Sequence, residues 1–143
     1  AAFTKFKWDP KQSVWYKSGD IGCYNLKGSL ECLGRKDNQI KLGGRRIEIS
    51  EVELSLRSFR LLEDLVVVPM KDEDNRVLEL VGFTMNSLSA EELRAIKLKS
   101  LDNLEAIFFP KRVFEIERFP VNTSGKLDRK RLVEMAKTLG SRS

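Results

Sequence analysis

The sequence predicts an α+β domain: a small mixed β-sheet with helices packed on it, led by N-terminal β-hairpins. Three observations predict it. Glycine-centred turns punctuate short alternating segments at the front, Ser-x-x-Glu boxes open two helical periods, and short apolar runs lie between those helices. With 143 residues, 41% hydrophobic and 33% charged, the chain is long enough to bury one ordinary core.

Residues 1–20 carry Asp9-Pro10, two tryptophans and little period, and read as an irregular edge. Cys23 to Leu26 and Ser29 to Leu33 alternate around Lys27-Gly28, a hairpin signal. Gln39 to Leu42 and Arg45 to Ile49 flank Gly43-Gly44, a second tight turn. Ser50 with Glu53 then forms a capping box ahead of a helix whose apolar face is Val52, Leu56 and Phe59. Leu65 to Pro69 and Val77 to Met85 read as buried strands. Ser89 with Glu92 repeats the capping box before Leu93, Ile96, Leu101 and Leu104, and Arg112 to Glu117 alternates as a strand. Leu132, Met135, Ala136 and Leu139 mark a last helix that Gly140 should stop.

Composition excludes several chemistries. There is no histidine, which removes histidine triads, imidazole acid–base work and most zinc sites. Cys23 and Cys32 lack metal-knuckle spacing. A two-residue Lys27-Gly28 turn would set them opposite each other, where a disulfide is conceivable, although free thiols suit a reducing compartment. No apolar run approaches the roughly 20 residues that span a bilayer. The N-terminus lacks a signal-peptide layout, so a cytoplasmic protein without membrane partners is expected. The net charge of +5 collects after Lys126, at Arg129, Lys130, Arg131, Lys137 and Arg142. A solvated helix face accounts for these better than nucleic acid does, because no aromatic residue interleaves them to stack on bases.

Three segments carry candidate chemistry. Tyr16-Lys17-Ser18-Gly19-Asp20 ends on a carboxylate able to accept hydrogen bonds from vicinal ribose hydroxyls. Gly34 to Glu48 holds Arg35, Arg45 and Arg46, charged donors for phosphate or ribose oxygens, and Gly43-Gly44, whose backbone can approach a ligand closely. Asn122-Thr123-Ser124-Gly125-Lys126 presents a lysine, and an ammonium beside a developing oxyanion stabilises it by roughly 3 kcal/mol. Taken singly, each also reads as a turn or a surface charge.

In this order the three segments resemble the C-terminal part of the adenylate-forming superfamily: acyl-CoA ligases, luciferases and the adenylation domains of nonribosomal peptide synthetases. The resemblance runs over nearly the whole chain. It implies that Asp20 binds the ribose hydroxyls of ATP and that Arg35 contacts the ribose. Arg46 would lie near the nucleotide phosphate, and Lys41 stands where some members place a residue near the active site. Asp37 would be the hinge about which the C-terminal domain rotates, and Gly43 and Gly44 would approach the acyl-pantetheine path. Ser124 to Arg129 matches the motif of the catalytic lysine, here Lys126, while Phe109-Pro110 sits at a Met-Ile-Pro-like element. Two positions depart: Gly43 stands where a basic or polar residue is common, and Ser124 where asparagine is. Gly44 to Ile49 resembles the amino-acid-activating branch more than the Gly-Gly-x-Asn-Ile-x-Pro of many CoA ligases.

The family's phosphate loop is absent, as is the acyl pocket. The expectation is therefore a segment of the N-terminal adenylation domain over 1–36 and a lid domain over 37–143, inert alone. With its N-terminal domain, ATP and Mg2+, such an enzyme makes an acyl-adenylate. It then turns about Asp37 to load a phosphopantetheine carrier protein or CoA. A CoA-ligase fragment and a noncatalytic carrier-binding module are the alternatives.

Overall fold

The computed structural model describes residues 3–5, 7–16, 20–35 and 39–142. Contacts divide the chain into two units, Ala1–Gln39 and Ile40–Ser143.

In the first unit the opening residues are more regular than the sequence suggests. Strands β1 (Phe3–Thr4) and β2 (Trp15–Tyr16) pair antiparallel. Two-residue strands have no period to read, and the chain between them is shaped by one side chain. The Asp9 carboxylate accepts from the backbone N–H of Lys11 at 2.9 Å, that of Ser13 at 2.9 Å and the Trp15 indole at 3.0 Å. The indole bond, then the Lys11 amide, holds the Asp9 carboxyl below its ordinary value.

Strands β3 (Asp20–Tyr24) and β4 (Leu30–Arg35) form an antiparallel hairpin. Its loop is not the two-residue Lys27-Gly28 turn. Gly28 N–H donates to Asn25 O and Asn25 N–H to Ser29 O, both at 2.9 Å, with Gly28 at φ +78°. This is a three-residue loop, a turn followed by a left-handed residue. The extra residue moves the register, so Cys23 opposes Glu31 and Cys32 opposes Gly22. The cysteines do not face each other, and Cys23 is an exposed free thiol. A bulge between Ile21 and Gly22 then brings Asp20 opposite Arg35.

The second unit opens on the hairpin of β5 (Gln39–Leu42) and β6 (Arg45–Glu48), turned at Gly43 and Gly44. Both glycines have positive φ, +58° and +80°, the requirement of the two-residue turn that matches strand twist. Helix α1 (Ile49–Arg57) follows, but without the expected capping box: Glu48 is the N-cap and makes no side-chain cap bond. Glu53 is drawn into the core instead, and the helix ends before Phe59. Helix α2 (Ala90–Ser100) does have its box, Glu92 N–H donating to Ser89 Oγ at 3.1 Å and Ser89 N–H to Glu92 at 2.8 Å. It stops at Ser100, so Leu101 and Leu104 lie beyond it, Leu104 buried and Leu101 exposed.

The main sheet has the order β7 (Val66–Lys71), β8 (Val77–Thr84), β9 (Arg112–Glu115). Strands β7 and β8 are antiparallel, and β8 and β9 parallel, so the sheet is mixed. Strand alternation sends side chains to both faces. Leu65, Val67 and Leu80 pack with Ile40, Leu42, Val52, Leu56 and Ile96 on one face. Val66, Val68, Val81 and Phe83 pack with Leu132 and Ala136 of helix α3 (Arg129–Gly140) on the other. Burial on both faces explains why Leu65 to Val68 is continuously apolar. Each fully buried side chain there stabilises by roughly 2 kcal/mol. Gly140 is the last residue of α3, not a left-handed stop beyond it. A β-carbon at Gly140 would meet Arg112 Nη1, and Ser141 caps the helix in the right-handed region.

Candidate functional site

The expected nucleotide contacts of the first unit stand at one end of one ladder. Asp20 begins β3, Arg35 ends β4, and the two are register partners. Asp37 and the Lys17-Ser18-Gly19 stretch lie outside the described residues.

In the second unit Lys41 and Arg46 are exposed on β5 and β6, and Gly43-Gly44 form the tip between them. Arg45 is occupied by Glu105, at 3.0 Å. A groove of about 790 Å³ opens beside Gly43, lined by buried Leu42, Leu80 and Phe109 and by exposed Arg94, Lys97 and Lys111. The hairpin rests on the face of the sheet that holds α1, through Ile40 and Leu42.

Lys126 sits elsewhere. Its loop closes with Gly125 N–H donating to Asn122 O at 2.9 Å and Asn122 N–H to Lys126 O at 2.7 Å. Gly125 has φ +77°, which explains the glycine before the lysine. The Asn122 side-chain oxygen accepts from Ser124 N–H at 2.9 Å and Lys126 N–H at 3.0 Å. Val121 bridges Leu127 across the loop, and Leu127 packs on the α3 face of the sheet. The Lys126 loop and the Gly43-Gly44 hairpin thus rest on opposite faces of one three-stranded sheet.

Three residues acquire roles here that the sequence reading did not give them. Asn122 builds the lysine loop. Arg129, expected on a solvated face, instead donates to Glu53 Oε1 at 2.8 Å, Glu53 Oε2 at 3.2 Å and Val67 O at 2.8 Å. Glu53, expected in a capping box, also accepts the Val67 N–H at 2.9 Å. Only the Asn-x-x-Gly spacing, shared by Asn25-Gly28 and Asn122-Gly125, was legible beforehand. Among the described residues no group of three or more Cys, Asp or Glu is placed to hold a metal. No helix among them is long and apolar enough to cross a membrane.

No family model matches the chain. Individual proteins do. It is 35% identical over 129 residues to the Anguibactin system regulator of Vibrio anguillarum, covering 85% of this chain and 12% of that protein. It is 36% identical over 142 residues to Apicidin F synthase of Gibberella fujikuroi, covering 91% of this chain and 3% of the synthase. Among solved structures, Klebsiella oxytoca NpsA in complex with 3-hydroxyanthranilyl-AMSN superposes with a TM-score of 0.77 at 22% identity, over 95% of this chain and 27% of NpsA. The Vibrio cholerae adenylation domain AlmE, solved with glycyl-adenosine-5'-phosphate, matches at 29% identity and a TM-score of 0.57, over 96% of this chain and 24% of AlmE.

The chain belongs to the adenylate-forming superfamily. It corresponds to the C-terminal part of those enzymes and spans only a small fraction of the curated relatives' length. The α+β architecture expected from sequence is the superfamily's C-terminal fold. Within that fold the three motifs fall on a ladder end, a hairpin tip and a lysine loop.

Proposed function

We propose that this chain is the lid of an ATP-dependent adenylating enzyme of the amino-acid-activating branch, with residues 1–36 belonging to the N-terminal domain and 37–143 forming the lid. The observation that carries the reading is the placement of Lys126 and Gly43-Gly44 on opposite sheet faces. A lid that works in two steps needs two working faces, and rotation about Asp37 would exchange them.

In the first step Lys126 bridges the substrate carboxylate and the α-phosphate of ATP, stabilising charge as the acyl-adenylate forms and pyrophosphate leaves. Asp20 and Arg35 hold the ribose, and Arg46 and Lys41 add positive charge near the nucleotide. Magnesium would neutralise the triphosphate. In the second step the hairpin tip faces a phosphopantetheine thiol, which attacks the adenylate carbonyl and releases AMP. Arg94, Lys97 and Lys111 beside the tip suit an anionic partner such as an acidic carrier protein. A closed lid keeps water from the reactive anhydride. The setting is cytoplasmic, where ATP and carrier proteins are supplied.

The test is acid-dependent ATP–pyrophosphate exchange, screened over the proteinogenic amino acids. This chain alone should give none, and the chain joined to an N-terminal adenylation domain should give it. Exchange by the isolated chain would refute the lid assignment. Carrier binding without exchange in any assembled enzyme would favour a noncatalytic module.

A further inference from the structure

Among the described residues the loop that carries Lys126 is built three times. Asn25, Asp72 and Asn122 each open a five-residue loop, and each accepts two backbone N–H groups on its side-chain oxygen. Asn25 takes those of Lys27 and Ser29, at 2.9 and 3.0 Å. Asp72 takes those of Asp74 and Arg76, both at 2.9 Å. Asn122 takes those of Ser124 and Lys126, at 2.9 and 3.0 Å. The backbone closes alike in all three: the first residue's N–H donates to the fifth residue's carbonyl, and the fourth residue's N–H donates to the first residue's carbonyl. The left-handed fourth residue is Gly28, Asn75 or Gly125. What the loops share is the oxygen acceptor at the first position, amide or carboxylate; the fourth and fifth residues vary.

We infer that Asn122 is the positioning residue for Lys126. One of its two bonds goes to the lysine's own N–H, so it fixes the Cα from which a flexible four-carbon stem must reach. Gly125 would not hold that Cα by itself. No atom lies within 4 Å of where its β-carbon would be, and glycine samples both signs of φ. A misplacement of about 1 Å costs on the order of a hundredfold in rate when the group acts by orientation. Asn122 touches no reacting atom and acts through the lysine. The inference rests on the reading of Lys126 as the catalytic lysine.

The test compares four variants of the enzyme assembled from this chain and an N-terminal adenylation domain, using the proteinogenic amino acid that gives the fastest ATP–pyrophosphate exchange. Asn122→Ala should lower kcat at least tenfold with little change in KM for ATP, because the loss is confined to the transition state. Asn122→Asp should stay within about twofold of wild type, since Asp72 builds the same loop. Asp72→Ala removes the equivalent amide bonds from a loop without the lysine and should leave the rate intact. In the 143-residue chain, amide exchange at Ser124 and Lys126 should accelerate in Asn122→Ala and not in Asn122→Asp. Normal kcat in Asn122→Ala alongside a dead Lys126→Ala would overturn the positioning role. So would equal losses in Asn122→Ala and Asp72→Ala, which would make the effect one of stability. An active Lys126→Ala would remove the underlying reading and this inference with it.

Discussion

Arg129 and Glu53, far apart in sequence, meet at the edge of the main sheet and complete it: Glu53 accepts the outward N–H of Val67, and Arg129 donates to the outward carbonyl of the same residue. The pair satisfies an edge strand much as another strand would. It also fixes the first turn of α3, immediately after the Lys126 loop, to α1.

Breaking this pair should be expensive, and unequally so. The Glu53 side chain is 5% exposed and that of Arg129 42%. Glu53→Ala strands the Val67 amide and takes the shared carboxylate from Arg57 and Arg129, and should destabilise the chain by about 3–5 kcal/mol. Arg129→Ala leaves Arg57, at 3.4 Å, to share the buried carboxylate and should cost roughly half as much. Urea unfolding of both variants measures the difference.

Lys126→Ala, in the assembled enzyme, should slow adenylation by about a hundredfold or more, the effect of one lost oxyanion donor. Thioester formation from preformed adenylate should change far less, because the lysine loop and the hairpin tip lie on opposite sheet faces. Equal losses in both half-reactions would contradict that division.

The Gly43-Gly44 turn should tolerate side chains poorly at both positions. Gly44→Ala meets no neighbouring atom, so its cost of about 1–2 kcal/mol is backbone strain alone. Gly43→Ala adds a close contact with Ile107 Cδ1. Its excess over Gly44→Ala should vanish when Ile107→Ala is combined with it, a coupling that a double-mutant cycle reads directly.

Acid should loosen the first unit through Asp9. Its folded-state pKa lies below the ordinary 3.8, so its contribution is fully present above that value and is lost as pH falls through the depressed one. Fluorescence of Trp8 and Trp15, whose ring centroids are 5.5 Å apart, should shift in that window. Asp9→Asn should abolish the transition there.

Local signals were legible in the sequence wherever the cause was local. The Ser89-Glu92 box, the Gly43-Gly44 turn and the strand runs arise from neighbouring residues, and they formed as read. Glu53 and Leu104 were misplaced because what decides them is distant: a buried edge strand for one, the core beyond a helix end for the other. The Cys23 register failed for a smaller reason, since a single extra loop residue at Leu26-Lys27-Gly28 shifts every pair after it.

By itself, then, the sequence determined the superfamily and the α+β class, because spaced motifs and periodicity are written along the chain. The tertiary structure decided which face of the main sheet the hairpin tip and the lysine loop occupy, which acceptor holds that loop and which arginine pairs with Glu53. Those depend on strand alternation and on hydrogen bonds between residues far apart in sequence, and no local window contains them.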